Sequence, residues 1–214
     1  MPSSPVSAKR SYESPRRRAS AADTRLAVIA AATRLFTERG WATSVRDIAR
    51  EAGVAVETVY SVVGSKRELL KVAMDVAIVG DDEPVALADR HEFASLAQGD
   101  RPTRLAHAAA MMADQYSRVA ALHHALEQGS ETDEELAGLR RHAHEQQITT
   151  FAEGLTLALG RRPDPELVDG LQAISSPATY LHLIRMAGWT QEQYQLWLGQ
   201  TLLRLVAHIP EESA

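Results

Sequence analysis

The sequence predicts an all-α protein, and three observations lead to this fold class. Hydrophobic residues make up 45% of the 214 residues, which is ample for a packed core. Aromatic residues are scarce at 5%, whereas the strong helix formers alanine and leucine are abundant. Apolar residues recur at helical spacing, and no stretch has the alternation typical of a half-buried strand or an internal repeat. We therefore expect helices packed on helices.

Composition and charge restrict the class of function. The chain has no cysteine, which excludes disulfides, thiolate metal sites and thiol nucleophiles. It has no run of 18 apolar residues and no apolar signal segment, so we expect a cytoplasmic protein without a membrane partner. Residues 1–79 contain 13 Lys and Arg against 8 Asp and Glu, which leaves 10 against 20 for residues 80–214. A basic N-terminal part is the electrostatic footprint expected for binding double-stranded DNA.

The N-terminal segment and the first helix differ sharply in composition. Residues 1–22 are rich in Ser, Pro and Arg, and predict a disordered basic arm. Such an arm either contacts DNA or remains a solvated tail, and the composition is compatible with both. A helix is expected from residue 24 to Arg39, capped by Asp23 or Thr24 and ended by Gly40. Its broad apolar face, which should support the next two helices, contains Val28, Ile29, Ala32, Leu35 and Phe36.

The segment from Ser44 to Lys66 predicts two short helices joined by a tight turn. Apolar residues at Val45, Ile48, Ala49 and Ala52 give the first helix one buried stripe. Gly53 supplies the positive φ that a sharp turn needs, and the small side chain of Ala49 lets the second helix approach closely. This pattern indicates a helix-turn-helix, with a plain helical hairpin as the alternative.

The second helix of this motif is the predicted DNA-reading element. Because Val59 and Val62 should point inward, the opposite face should enter the major groove. The residues expected on that face are Val56, Glu57, Thr58, Tyr60 and Ser61. Phosphate contacts are expected from Thr43, Ser44, Arg46, Tyr60 and Lys66.

A fourth helix, capped by Ser65, is expected from Lys66 to Val79. Lys66 and Arg67 lie in its first turn, where the helix dipole disfavours cations unless an anion is near. We expect a DNA phosphate to be that anion. Residues 84–98 predict one more short helix.

The remaining helices are delimited by Pro, Gly and capping residues. Pro102 should open a long helix that Gly129 closes, and Asp133 should begin another that Gly160 closes. Pro177 should separate two shorter helices, because proline cannot continue the one before it. The expected helices are 102–128, 133–159, 165–175, 178–187 and 191–209.

Two surfaces of the C-terminal part have candidate roles. The last helix is apolar almost all round, which predicts a two-fold dimer interface with Trp197, Leu198, Leu202, Leu205 and Ile209, formed together with residues 178–187. Apolar and polar side chains also mix along two long helices, which is typical of a ligand cavity but more often of ordinary core. The candidate cavity residues are Met112, Tyr116, Val119, His123, Gln146, Thr150 and Phe151.

No cofactor, metal site or catalytic residue is expected. The paired histidines at 123 and 124 point to different sides of a helix, and so do those at 142 and 144, so neither pair can share an ion. Ser175 and Ser176 lack the glycine-flanked turn of a nucleophile, and no glycine-rich phosphate loop occurs. An enzyme is therefore an unsupported alternative.

A family resemblance adds to this interpretation. The residues that carry it are Arg25, Ile29, Ala31, Ala32, Leu35, Phe36, Gly40, Thr43, Ser44, Val45, Ile48, Ala49, Ala52, Gly53, Val54, Thr58, Val59, Tyr60, Ser65, Lys66, Leu69 and Leu70. Through them residues 24–72 resemble the TetR family of bacterial transcriptional regulators, and residues 176–203 look like a recurring ending in that family. Glu57, Ser61 and Val63 depart from its usual pattern, as does a loop one residue short after Gly40, so no base preference is carried over.

The resemblance implies an all-α homodimer with a DNA-binding domain and a larger domain that binds a small molecule and dimerises. We expect a disordered arm at 1–22, a helix-turn-helix domain at 23–66 and a regulatory domain at 67–214. The expected function is that of a transcriptional repressor released from its operator by an unidentified ligand. The alternatives are a DNA-binding regulator without an effector and a helical enzyme.

Overall fold

A computed structural model describes residues 15–79 and 91–210, and this part of the chain contains helices and no strand. The α-helices are α1 (Pro15–Arg39), α2 (Val45–Ala52), α3 (Val56–Val62), α4 (Lys66–Val79), α5 (His91–Ala94), α6 (Arg101–Ser130), α7 (Glu134–Leu159), α8 (Pro165–Ile174), α9 (Pro177–Arg185) and α10 (Gln191–Leu205). Short 3-10 helices cover Gly40–Ala42 and Ser95–Ala97. The predicted all-α class is confirmed.

The first three helices form a small unit that rests on α4. Helix α1 contacts both α2 and α3, and the fully buried side chains of Val28, Phe36, Ile48 and Val59 lie between them. Leu69 of α4 is equally buried and belongs to the same core. Burying such side chains stabilises a domain by about 1.5–3 kcal/mol each, which explains how helices of seven and eight residues persist here.

Helix α6 is the centre of the larger domain. It contacts α4, α7, α9 and α10 along its 30 residues, and its end reaches α1 and the 3-10 helix at Gly40–Ala42. Its side chains Leu105, Ala109, Val119 and Leu122 are buried. Because one helix contacts both domains, the unit formed by α1, α2 and α3 is seated directly on the core of the rest of the chain.

Several predicted helix boundaries are confirmed. Asp133 caps α7 by accepting hydrogen bonds from the amides of Glu135 and Leu136, and Gly160 ends that helix with φ 74°. Pro177 begins α9, and Thr190 forms a capping box with Gln193 at the start of α10. Side-chain caps identify these ends because they satisfy amides that the helix leaves free.

The predicted start of the first helix is wrong. Helix α1 begins at Pro15, so residues 15–22 are helical and do not belong to a disordered arm; residues 1–14 lie outside the described part. Thr24 lies inside the helix, where its hydroxyl donates to the carbonyl of Ser20 at 2.8 Å. Arginine and alanine favour a helix, and proline fits its first turn, which outweighs the polar composition of this stretch.

Gly129 does not end the long helix as predicted. Helix α6 continues to Ser130, and Gly129 is buried inside its last turn. A Cβ at this position would lie 2.6 Å from Leu136 and 3.0 Å from the ring of Trp41. Glycine therefore serves close packing here and not helix termination. Of the short helix predicted at 84–98, residues 84–90 lie outside the described part, and the rest contains α5 and the 3-10 helix Ser95–Ala97.

Candidate functional site

Helices α2 and α3 form the predicted helix-turn-helix. Ser44 caps α2 by accepting from the amide of Asp47 at 3.1 Å, while the Asp47 carboxylate accepts from the amide and hydroxyl of Ser44. Gly53 adopts φ 68°, and the amide of Val54 donates to the carbonyl of Ala49 at 3.0 Å. Nothing lies within 4 Å of a Cβ built at Gly53, so its conformation, and not lack of space, favours glycine.

Helix α3 presents a narrower exposed face than the sequence predicts. Glu57, Tyr60 and Ser61 are exposed, with Tyr60 at 53%, and the buried Val59 anchors the opposite face. Val56 packs against the core because it lies three residues before Val59 and therefore on the same side of the helix. Thr58 is half-buried, and its carbonyl accepts from the hydroxyl of Ser61 at 2.9 Å.

A guanidinium connects α3 to the helix behind it. Arg25 of α1 donates to the carbonyl of Val62, the last residue of α3. The bond satisfies a carbonyl that the helix end leaves without an internal partner. Arg25 thus positions α3, and because Arg25 and Val62 are 37 residues apart, their contact has no local sequence signal.

Two of the predicted phosphate contacts do not lie on this surface. Thr43 is buried, and its hydroxyl donates to the carbonyl of Leu35 at 2.9 Å, so the prediction for Thr43 is contradicted. The Lys66 amine lies 3.8 Å from the centre of the Trp41 ring and donates to the Trp41 carbonyl. Partial burial lowers the pKa of Lys66. Ser44 and Arg46, by contrast, are exposed at the start of α2.

The anions that pair with Arg67 belong to the protein itself, whereas the sequence predicted a DNA phosphate. Its Nε lies 2.7 Å from an Asp133 oxygen, and a second nitrogen pairs with Glu135 at the start of α7. These carboxylates raise the pKa of Arg67, the bond to Glu135 being the larger cause. They also explain how a cation is stabilised in the first turn of α4. The sequence shows a cation in the first turn of a helix, where the dipole disfavours it. Its partners could not be identified from the sequence, because they are 66 and 68 residues away.

Further polar contacts join the unit formed by α1, α2 and α3 to the larger domain. The amide of Trp41 donates to the side chain of Gln128 at 2.9 Å, and the Phe36 and Trp41 rings stack 6.1 Å apart. Arg185 of α9 donates to the carbonyl of Thr37 at 2.8 Å. The 3-10 helix Gly40–Ala42 is therefore fixed between α1, α4 and the end of α6.

A cavity of about 390 Å³ lies within the larger domain. Helices α4, α6 and α7 line it, together with Phe93 of α5 and Leu96. All seven residues predicted for a pocket line this cavity: Met112, Tyr116, Val119, His123, Gln146, Thr150 and Phe151. The sequence interpretation missed the contribution of α4, which is Lys71, Met74, Asp75 and Ile78.

The polar groups of the cavity come from facing helices. The Gln147 amide donates to the Tyr116 hydroxyl at 3.5 Å, and burial raises the pKa of Tyr116 to about 12. Burial also lowers the pKa of His123, and the nearby Glu127 opposes this shift less strongly. Both side chains are therefore uncharged at neutral pH, and both offer hydrogen bonds.

The predicted dimer residues divide into two groups. Leu198 and Leu202 are buried inside the chain, where α10 packs on α6, so the prediction that they form a dimer interface is contradicted. Trp197 and Ile209 are half-buried and also pack against the core, whereas Leu205 is exposed. A helix apolar on all sides need not contact a second chain when its own domain covers half of it.

Apolar side chains nevertheless remain uncovered on α9 and α10. Leu196 is 58% exposed, and Met186, directly after α9, is 77% exposed. Between them the half-buried rings of Trp189 and Trp197 meet edge to face at 5.7 Å. We refer to Met186, Trp189 and Leu196 as the α9–α10 face.

Residues 15–79 and 91–210 offer neither a metal site nor a membrane span. No group of three or more His, Asp or Glu side chains among them is placed to hold a metal ion. No helix in these ranges combines the length and apolarity that crossing a membrane requires.

Comparison with known proteins bears on the first of the two domains. No curated protein sequence matches the chain. Residues 28–73 match the family described as bacterial regulatory proteins, tetR family. This match extends from the middle of α1 into α4 and includes the whole helix-turn-helix, which agrees with the resemblance inferred from the sequence. Residues 28–73 thus contain the DNA-binding domain of the TetR family, and the match supports a DNA-binding transcriptional regulator.

Proposed function

We propose that this protein is a cytoplasmic, homodimeric repressor that a small molecule releases from its operator. The observation that carries the proposal is the position of α4, which takes part in both sites. Its first turn contacts Trp41 beside the helix-turn-helix, and its later residues Met74 and Ile78 line the cavity. A molecule in the cavity would therefore touch the helix on which the DNA-binding unit rests.

The DNA contacts follow from the exposed surface. Helix α3 enters the major groove with Glu57, Tyr60 and Ser61, which are exposed. The exposed Ser44 and Arg46 contact the phosphate backbone of the DNA. A Glu carboxylate in the groove accepts a hydrogen bond from cytosine N4, so Glu57 favours a G·C pair. Phosphate contacts supply most of the affinity, and base contacts supply the specificity.

The two-fold assembly is proposed from the α9–α10 face. Exposed apolar groups such as Leu196 and Met186 lose contact with water when they pack on a second copy. Two DNA-binding units held in this way can occupy half-sites about 34–36 Å apart, or a multiple of that distance.

Release requires that the ligand prefer an arrangement of the two units that does not match the operator. A coupling free energy of about 1–3 kcal/mol would weaken DNA binding about 5- to 150-fold. A ligand that binds both arrangements equally would have no effect on DNA, however tightly it bound.

A gel-shift assay with the DNA upstream of its own gene, with and without candidate ligands, tests this function. Ligand-dependent release supports the proposal, whereas DNA binding that no ligand alters favours the regulator without an effector. Failure to bind any duplex from a random library would leave only the helical enzyme.

A second experiment tests the separation mechanism. The chain has no cysteine of its own, so cysteines placed on exposed positions of the two DNA-binding units can cross-link them in the DNA-bound arrangement. We expect the locked dimer to retain DNA when ligand is added. Equal release from locked and free dimers would contradict the mechanism.

A further inference from the structure

The charges around the cavity restrict what it can bind, and this inference rests on the proposed function of the cavity. Among the described residues that line it, two carry a formal charge at neutral pH, Lys71 and Asp75, and both are exposed to solvent on α4. The buried lining consists of apolar side chains such as Leu105, Val119 and Leu155. A charged group placed among them would lose its hydration without gaining an ionic partner.

Hydrogen-bonding groups are nevertheless available inside. Tyr116 is buried on α6, and Gln147 and Thr150 face it from α7. Tyr116 and Gln147 are separated by 3.5 Å, which is long for a hydrogen bond, so a ligand atom that donates or accepts can replace this contact at little cost. His123, about two turns further along α6, adds a neutral imidazole to the same wall.

The volume of the cavity and its flexible lining further restrict the class of molecule that it can bind. A volume of about 390 Å³ is within the range of roughly 300–1,000 Å³ found for small-molecule sites. Met74, Met111 and Met112 line it, and these unbranched side chains adapt to ligands of different outline. The lining therefore tolerates variation in shape more readily than variation in charge.

We propose that the effector of this regulator is an uncharged, largely apolar organic molecule with a hydrogen-bonding group at one end, held by Tyr116 and Gln147. Its apolar body lies among the methionines and the rings of Phe93 and Phe151. Organic anions and cations of the same size are excluded by the absence of a buried counter-charge among the described lining residues.

Competition for the dye Nile red tests this proposal on the wild-type protein without DNA. Nile red is uncharged and fluoresces in apolar surroundings, and three competitors share a ten-carbon chain: 1-decanol, decanoate and decyltrimethylammonium. We expect 1-decanol to displace the dye at a concentration at least tenfold lower than either ion. The inference is overturned if an ion competes as well as the alcohol, or if the folded protein does not bind Nile red.

Matched variants locate the dye. Ala143 is half-buried on α7 and lines the cavity, whereas Thr149 is exposed on the same helix and does not. We expect Ala143→Trp to weaken Nile red binding at least tenfold and Thr149→Trp to leave it unchanged. Equal effects of the two substitutions would place the dye elsewhere and overturn the assignment. Circular dichroism confirms that each variant is folded.

A reversal of charge preference provides an independent check. Met112 lines the cavity and is half-buried, so Met112→Glu introduces the missing counter-charge, and Met112→Gln is its uncharged control. Relative to 1-decanol, decyltrimethylammonium should gain at least tenfold in affinity for the Glu variant only. An equal gain in the Gln variant would show that polarity, and not charge, governs selection.

Parallel gel shifts separate this inference from the proposed function. If an ion is selected by the cavity and releases DNA, the inference fails while the ligand-responsive function stands. If 1-decanol binds with the expected preference and DNA binding is unchanged by every competitor, the ligand class stands and the release function fails.

Discussion

Cationic side chains near the DNA-binding surface differ in whether they already have a partner within the protein. Lys66 is held by the ring and carbonyl of Trp41, and Arg67 by two carboxylates, whereas the Arg46 side chain is exposed in the first turn of α2. Cations with the same charge therefore have different roles, because the contact that a cation already makes must be broken before it can bind a phosphate.

Arg46→Ala should weaken DNA binding for all sequences and reduce the slope of log K against log salt by about one unit. Lys66→Ala should leave that slope unchanged and lower the melting temperature, because it removes a cation–π contact and leaves the Trp41 carbonyl without its donor. Titrations at several salt concentrations measure the slope, and thermal unfolding measures stability. Equal losses of slope would show that Lys66 moves from Trp41 to the DNA on binding.

The hydroxyl of Tyr194 supports a second prediction at this scale. Tyr194 is fully buried, and its oxygen has no hydrogen-bond partner among the described residues. Tyr194→Phe removes an unsatisfied polar atom and keeps the ring, whose centre lies 4.8 Å from that of Tyr180. We expect the free energy of unfolding to stay the same or to rise by up to about 1 kcal/mol. A loss of more than about 1 kcal/mol in urea titrations would indicate a bound water at this oxygen.

Among the helices, the turn between α2 and α3 fixes the angle at which α3 meets DNA. Gly53→Ala adds no steric contact but forces an L-residue into the left-handed region, so we expect a loss of about 1–2 kcal/mol and weaker DNA binding. Gly170 is the matched control, since it is an exposed residue of α8 with equally open space around a Cβ. Gly170→Ala should raise stability by about 0.5–1 kcal/mol and leave DNA binding unchanged. Equal stability of the two variants would show that the turn is not strained.

Helices whose ends carry local signals could be predicted from the sequence. Caps such as Ser44, Asp133 and Thr190 act within three residues, so their pattern alone marks the boundary. The helical stripe of α2 and the positive φ of Gly53 are equally local. For the same reason the pattern of residues 44–66 is enough to predict the helix-turn-helix.

Features that depend on contacts between distant segments could not be predicted. Thr43 has a hydroxyl group suited to a phosphate contact. It is buried because it packs against α1, where its hydroxyl donates to a carbonyl eight residues earlier in the chain. Leu198 and Leu202 are apolar enough for a dimer interface, but α6 covers them. In the sequence Gly129 resembles a helix end, but in the structure Trp41 and Leu136 pack closely against it. In each case tertiary packing decided between two outcomes that the local sequence allowed.

In the whole molecule, polar contacts tie the DNA-binding unit to the larger domain at several points. Arg67 contacts the start of α7, Gln128 at the end of α6 accepts from Trp41, and Arg185 of α9 donates to Thr37. Most of these groups are partly exposed, so each contact contributes little to stability. Together these contacts restrict the movement of the unit relative to α6. Ligand-dependent release requires such movement.

The α9–α10 face supports the last prediction, which concerns assembly. Leu196→Glu places a charge in the middle of the proposed two-fold interface, where it would be buried without a partner, so we expect a dimer at micromolar concentration to become a monomer. Leu26→Glu is the matched control, because Leu26 is 65% exposed on α1, away from this face, and should leave the dimer intact. Sedimentation equilibrium measures both. Affinity for a two-site operator should fall at least tenfold for Leu196→Glu, since a monomer loses the effective concentration that links the half-sites, whereas affinity for a single half-site should be unchanged. A wild-type chain that sediments as a monomer, or a Leu196→Glu variant that remains a dimer, would show that this face does not join two copies.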